Sequence, residues 1–176
     1  NGIETSILDQ AARRFSMKQT LDWVKKENPD IVGFSVLNSS AREAPLLAEC
    51  VKKENPNVTI VFGNYHATFN AERILRKYPS VDVIARGEGE FTSLELAKCL
   101  EKKGNLEDVK GLTFRNSGKI VSTLDRPLIK DIDTLSFPNR DLVGAEYSSV
   151  IYGVKVASKK FTTIVSSRGC PFQCTF

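Results

Sequence analysis

Ile31-Val32-Gly33-Phe34-Ser35-Val36-Leu37 decides how the chain folds. It is a nearly continuous apolar run, the pattern of a strand buried on both faces of a parallel sheet. Directly before it stands Lys25-Lys26-Glu27-Asn28-Pro29, and the same five residues recur as Lys52-Lys53-Glu54-Asn55-Pro56 ahead of a second apolar run, Val58–Phe62. In each copy the lysines suit the negative end of a helix dipole and the proline enforces a stop. Both copies therefore mark helix C-termini that feed strands. This is one βα unit used twice, too little for a solenoid.

Toward the N-terminus, Ser16 and Gln19 form a capping box for a helix with Met17, Leu21 and Val24 at helical spacing. Ile3–Leu8 reads as a short strand ending in Asp9. Toward the C-terminus, Asn38-Ser39-Ser40 turns the chain into a helix striped by Ala44, Leu47, Ala48 and Val51, with Pro45 early, where a missing N–H does little harm. Asn70 caps a further short helix, with Phe69 and Ile74 placed as a hydrophobic staple. Val81–Ala85 is another buried strand, and Phe91–Lys103 another helix, closed by Gly104 at the C′ position.

Strands alternating with helices of this length predict an α/β fold over residues 1–110: a flavodoxin-like, Rossmann-like doubly wound parallel sheet with helices on both faces. Leu112–Arg115 and Ile120–Ser122 flank Asn116-Ser117-Gly118, a hairpin signal. Residues 111–160 are read as hairpin and connector, and 161–176 as the start of a further domain whose first strand is Phe161–Ser166.

At 176 residues, 41% hydrophobic and 26% charged, the composition is that of an ordinary globular protein. No apolar run is long enough for a membrane span. The net charge of +4 is scattered among acids, so no nucleic-acid partner is expected. The first residues lack the features of a secretion signal, and a cytoplasmic location is expected. Cys50 and Cys99 lie in helix-like segments, where a lone cysteine usually acts as a small buried hydrophobe.

Cys170 and Cys174 differ. They lie in Gly169-Cys170-Pro171-Phe172-Gln173-Cys174-Thr175-Phe176, after a β-branched segment. Close spacing lets one loop present soft thiolates to an iron–sulfur cluster, and Gly169 and Pro171 suit the bend. Free thiols or half a zinc site are the alternatives; zinc favours shorter Cys-x-x-Cys pairs with further ligands, and the sole histidine, His66, is remote. The stretch resembles the Cys-x-x-x-Cys-x-x-Cys signature of the radical SAM superfamily. That resemblance implies that Cys170 and Cys174 are the first two metal ligands of a [4Fe–4S] cluster whose remaining iron binds S-adenosylmethionine. A third ligand would follow Phe176, so the chain is expected to be the front of a larger enzyme and to hold no cluster alone.

In a doubly wound sheet, ligands bind beyond the carboxyl ends of the strands. Ser35-Val36-Leu37, Gly63-Asn64 and Arg86-Gly87-Glu88-Gly89-Glu90 fall there. These segments resemble the cobalamin-binding domain that precedes the radical SAM domain in many enzymes of that superfamily. Its pattern is Asp-x-His-x-x-Gly, then Ser-x-Leu, then Gly-Gly; here 25 residues separate Leu37 from Gly63, as the resemblance requires. By analogy Ser35 contacts the nucleotide tail and Gly63-Asn64 lines its channel, with Leu37, Gly87 and Glu88 as further cofactor-binding residues.

There are two departures from the pattern. Asn64 replaces the second glycine and narrows the channel, and Asp-x-His-x-x-Gly is missing. By family order that element would precede Ile3–Leu8 on a central strand, so Ile3–Leu8 is expected to pair unusually or to swap with a neighbour, giving an oligomer. His66 reads as an exposed loop residue and not as a cobalt ligand. Glu88 and Glu90 read as helix-capping acids before catalytic ones.

The resemblance implies a cobalamin-binding module of an enzyme acting on a small molecule, by methyl transfer or by oxidative ring formation of the magnesium-protoporphyrin ester cyclase type. The chain alone is not expected to be active. Two other classes compete. One is a radical SAM N-terminal scaffold or partner-binding domain that holds no corrinoid. The other is a receiver-type signalling module, for which only Asp9 is a fair phosphorylation candidate and which leaves the terminal cysteines unexplained. Substrate identity does not follow from the fold.

Overall fold

The computed structural model describes residues 2–144, 150–151, 154–155 and 164–175. The chain divides into two units, one of Asn1–Thr5 with Phe15–Pro138 and the other of Ser6–Arg14 with Asn139–Phe176.

The larger unit runs α1 (Met17–Glu27), β1 (Ile31–Ser35), α2 (Glu43–Glu54), β2 (Thr59–Gly63), α3 (Asn64–Phe69), α4 (Ala71–Lys77), β3 (Val83–Ala85), α5 (Gly89–Glu101), β4 (Leu112–Asn116) and β5 (Lys119–Ser122). The five strands form one sheet in the order β1-β2-β3-β4-β5. The first three are parallel, with Ser35 opposite Gly63 and Phe62 opposite Ile84. The hairpin β4–β5 continues the same sheet antiparallel, Ala85 pairing with Leu112.

Alternation along the strands gives the sheet two buried faces. Ile60, Phe62 and Ile84 pack with Leu47, Val51, Ile74 and Leu75 of α2 and α4. Val61, Val83 and Ala85 pack with Leu96 of α5 and with Leu112 and Phe114. This is the flavodoxin-like α/β arrangement expected. Arginines fasten the hairpin to the parallel part. Arg86 donates to the carbonyls of Leu112 and Thr123, to Thr113 Oγ1 and to Asp125, while Arg115 donates to the carbonyls of Leu75 (2.6 Å), Tyr78 (2.8 Å) and Val81 (2.7 Å).

The predicted helix ends largely hold. Ser16 caps α1 in a complete capping box with Gln19. Both Lys-Lys-Glu-Asn-Pro copies close helices, but differently: Asn28 is left-handed at φ 44°, whereas Asn55 is extended at φ −134°. Elsewhere several expectations fail, among them the Asn70 cap, whose side chain makes no capping bond to α4. Residues 2–9 form no strand, because a strand-like segment becomes a strand only where a neighbour takes up its backbone hydrogen bonds; the chain instead turns at Asp9, whose carboxylate accepts from the Ala12 N–H. β1 is not buried on both faces: it is an edge strand, with Gly33 and Ser35 exposed and its outer edge unpaired among the described residues. Phe69 does not staple α4, since it is 81% exposed while Ile74 is buried. The turn closing α5 places Lys103, not Gly104, in the left-handed C′ position at φ 51°, while Gly104 N–H reaches back to the Cys99 carbonyl at 2.8 Å.

The smaller unit holds the strand pair β6 (Val150–Ile151) and β7 (Val154–Lys155) and a short 3-10 turn at Arg140–Val143. Of the strand expected at Phe161–Ser166, residues 161–163 lie outside the described residues, and 164–166 are not strand.

Candidate functional site

Ser35 and Gly63 are register partners at the carboxyl ends of β1 and β2. By the two-residue period they share the sheet face of Gly33 and Val61. Neither glycine is required by its backbone. Gly33 and Gly63 lie outside the left-handed region; a Cβ at Gly33 would meet nothing within 4 Å, and one at Gly63 would meet only the Ala85 carbonyl at an ordinary 3.8 Å. Over this part of the face Gly33 and Gly63 leave a floor of bare backbone on a diagonal across β1 and β2, and the side chains between them are the Ser35 hydroxyl and the buried Val61. A glycine that the chain itself does not need, within a strand, marks a place where a ligand or another backbone approaches closely.

Asn64 forms the rim. It opens α3 with a left-handed φ of 75°, a conformation its side chain tolerates. Its Oδ1 accepts from the Tyr65 N–H at 2.6 Å, and its Nδ2 donates to Ser35 Oγ at 2.9 Å. One step outward, His66 Nδ1 and Asn38 Oδ1 lie 2.7 Å apart. Two side-chain bridges thus join the β1 and β2 ends. His66 is a half-buried helical residue and not the exposed loop residue its sequence context suggested.

The other sequence-derived positions surround this floor or stand apart from it. Leu37 is 46% exposed beyond β1. Gly87 takes φ 70° between β3 and α5, its N–H donating to Thr68 Oγ1 at 3.1 Å. Glu88 sits at the N-cap of α5 without a side-chain capping bond; its Oε2 accepts from the Ile129 N–H at 2.6 Å and so secures the connector. Cys170 and Cys174 are exposed thiols in the smaller unit, in a stretch without regular structure. Among the described residues, no group of three His, Cys, Asp or Glu side chains is placed to hold a metal ion. No helix among them is long and apolar enough to cross a membrane.

The profile of the B12 binding domain matches residues 1–97. The chain belongs to the B12-binding domain family.

Relatives of this B12-binding domain extend along nearly its whole length. It is 34% identical over 173 residues to an uncharacterized methyltransferase of Pyrococcus horikoshii, covering 98% of this chain and 36% of that one. It is 33% identical over 175 residues to the anaerobic magnesium-protoporphyrin IX monomethyl ester cyclase of Cereibacter sphaeroides, covering 96% of this chain and 27% of the other. The chain thus spans about a third of the length of these relatives. Among solved structures it resembles the cobalamin-dependent S-adenosylmethionine radical enzyme OxsB with aqua-cobalamin and S-adenosylmethionine bound, at TM-score 0.57 and 27% identity over 64% of this chain and 16% of that one. The methyltransferase TsrM of Kitasatospora setae, at TM-score 0.63 and 19% identity over 74% of this chain and 24% of that one, supports the fold alone.

The residues present fit a corrinoid. The open floor over Gly33 and Gly63 admits an extended group against backbone, and Ser35 and Asn64 offer neutral polar atoms at its end. Gly33 and the Asn38–His66 bridge escaped the sequence reading. Gly33 had a signal, as the one glycine inside the decisive apolar run. The bridge had none, because its partners lie 28 residues apart.

Proposed function

We propose that this chain is the corrinoid-binding module of a cobalamin-dependent radical SAM enzyme that modifies a small molecule by methyl transfer or oxidative cyclisation. The observation that carries the reading is the floor of Gly33 and Gly63 beneath Ser35, in a chain of the B12-binding family. The parent activity is supported by relatives named as a methyltransferase and a cyclase.

Bound cobalamin supplies a methyl carrier or radical control, and a cluster with S-adenosylmethionine supplies the radical. The chain's own residues bind and orient. Gly33 and Gly63 would let the tail approach the sheet closely, and Ser35 would offer it a hydrogen bond. Gly87 and Glu88 hold the β3–α5 turn and the connector in place. Leu37, 46% exposed, offers apolar surface beside the same edge. Cys170 and Cys174 are the proposed first two cluster ligands. The reading keeps the corrinoid module over 1–110, the hairpin and connector over 111–160, with β4 and β5 extending the module's sheet, and the start of the radical SAM domain over 161–176.

Hydroxocobalamin added anaerobically to the full natural protein tests this. The reading expects a saturable absorption change at one equivalent that survives desalting. A protein that comes through desalting without bound corrinoid overturns it and restores the corrinoid-free scaffold.

A further inference from the structure

We infer that Asn64 sets the hydrogen-bond polarity of Ser35, so that this site selects a corrinoid whose tail presents an acceptor. The inference rests on the corrinoid reading above and concerns the one position where the chain departs from the double glycine.

The argument starts from the Tyr65 backbone N–H, which can only donate. The Asn64 side-chain atom 2.6 Å from it must therefore be the oxygen, and the amide nitrogen must face Ser35. That nitrogen also only donates, so Ser35 Oγ accepts. A hydroxyl has one proton and two lone pairs. With one lone pair held by Asn64 at 2.9 Å, the Ser35 proton is turned away from Asn64. Ser35 makes no other hydrogen bond among the described residues, and Gly33 and Gly63 beside it contribute no side chain, so the proton is available to a ligand. A glycine at position 64 would leave the hydroxyl free to donate or accept.

The nucleotide tail of cobalamin carries acceptors, its phosphate oxygens and an aromatic nitrogen. Cobinamide, the same corrinoid without the nucleotide, carries neither there. Asn64 is thus a positioning residue: it acts through Ser35 and confers preference for the tailed corrinoid.

The test measures dissociation constants of hydroxocobalamin and aquocobinamide by absorption titration of the full natural protein and its variants. In Asn64→Asp the carboxylate can only accept, so Ser35 turns its proton toward it and faces the ligand with lone pairs. Cobalamin affinity is expected to fall about tenfold, the worth of one hydrogen bond, with cobinamide affinity unchanged. Ser35→Ala should lose the same factor, and Asn64→Asp in the Ser35→Ala background should cost nothing more. A loss that persists without Ser35 would mean that the carboxylate merely repels the tail phosphate, and would overturn the inference. An equal loss for both corrinoids, or no loss, would also overturn it. If the unmodified protein binds neither corrinoid, the functional reading itself fails and takes this inference with it.

Discussion

Lys25 of the first Lys-Lys-Glu-Asn-Pro copy and Glu54 of the second meet as an ion pair, Nζ to Oε2 at 2.8 Å. The repeat therefore joins α1 to α2 as well as ending both helices. The hydrogen bond to Glu54, more than charge alone, holds the Lys25 ammonium above its ordinary value of 10.5. A raised lysine stabilises the fold fully below that value and ceases to as pH climbs through the folded one. Because both side chains are half-exposed, the pair is screened and weak. Lys25→Ala is expected to change the neutral-pH melting temperature little, and the difference should begin to fade above pH 10.5 and vanish beyond the raised folded value. A large change that persists in alkali would show that Lys25 acts through packing.

Lys103 occupies a left-handed position that glycine takes without strain. Its side chain is exposed, so nothing is lost with it. Lys103→Gly should stabilise the protein by about 1 kcal/mol in urea unfolding. Gly111→Ala should do the opposite: at φ 81° a Cβ there would meet Thr92 Oγ1 at 3.1 Å and the Arg86 carbonyl at 3.3 Å. If Lys103→Gly leaves stability unchanged, the strain assigned to this turn is absent.

Arg115 donates to three part-buried carbonyls at the end of α4 and the approach to β3. Arg115→Met keeps an apolar stem and removes the donors. A loss of about 2 kcal/mol is expected, the cost of leaving the Leu75 and Val81 carbonyls without this donor, since the Tyr78 carbonyl still accepts from the Val81 N–H. Equilibrium denaturation measures it, and a loss of only a few tenths would show that solvent replaces the guanidinium.

The four thiols should separate by reactivity. Cys170 and Cys174 are exposed, whereas Cys50 and Cys99 are half-buried. Brief native alkylation followed by peptide mapping should label the first pair well before the second, with denaturant erasing the difference. Equal labelling of all four would contradict the packing of α2 and α5.

Much of this fold was legible because its signals are local. The Ser16 capping box, the repeated helix stop and the apolar runs of β1, β2 and β3 are each written within a few residues, and each appears where expected. What misled was pairing. Ile3–Leu8 has strand-like residues but gains no strand partner among the described residues, and the decisive run Ile31–Leu37 reads as buried on both faces while lying at an edge. Burial depends on neighbours that a segment does not encode. The site was legible in the same measure. Ser35 and Gly63 stood out as strand-end residues, whereas the Asn64–Ser35 bond spans 29 residues and emerges only once β1 and β2 are in register.

The central claim is that the bare backbone over Gly33 and Gly63 is where the corrinoid lies. Gly33→Val tests it most directly, because a Cβ there meets nothing within 4 Å and valine suits a strand better than glycine. Hydroxocobalamin titration of the full natural protein should show saturable binding that Gly33→Val abolishes while its melting temperature holds or rises. Undiminished binding by the valine variant would place the corrinoid elsewhere and contradict the account.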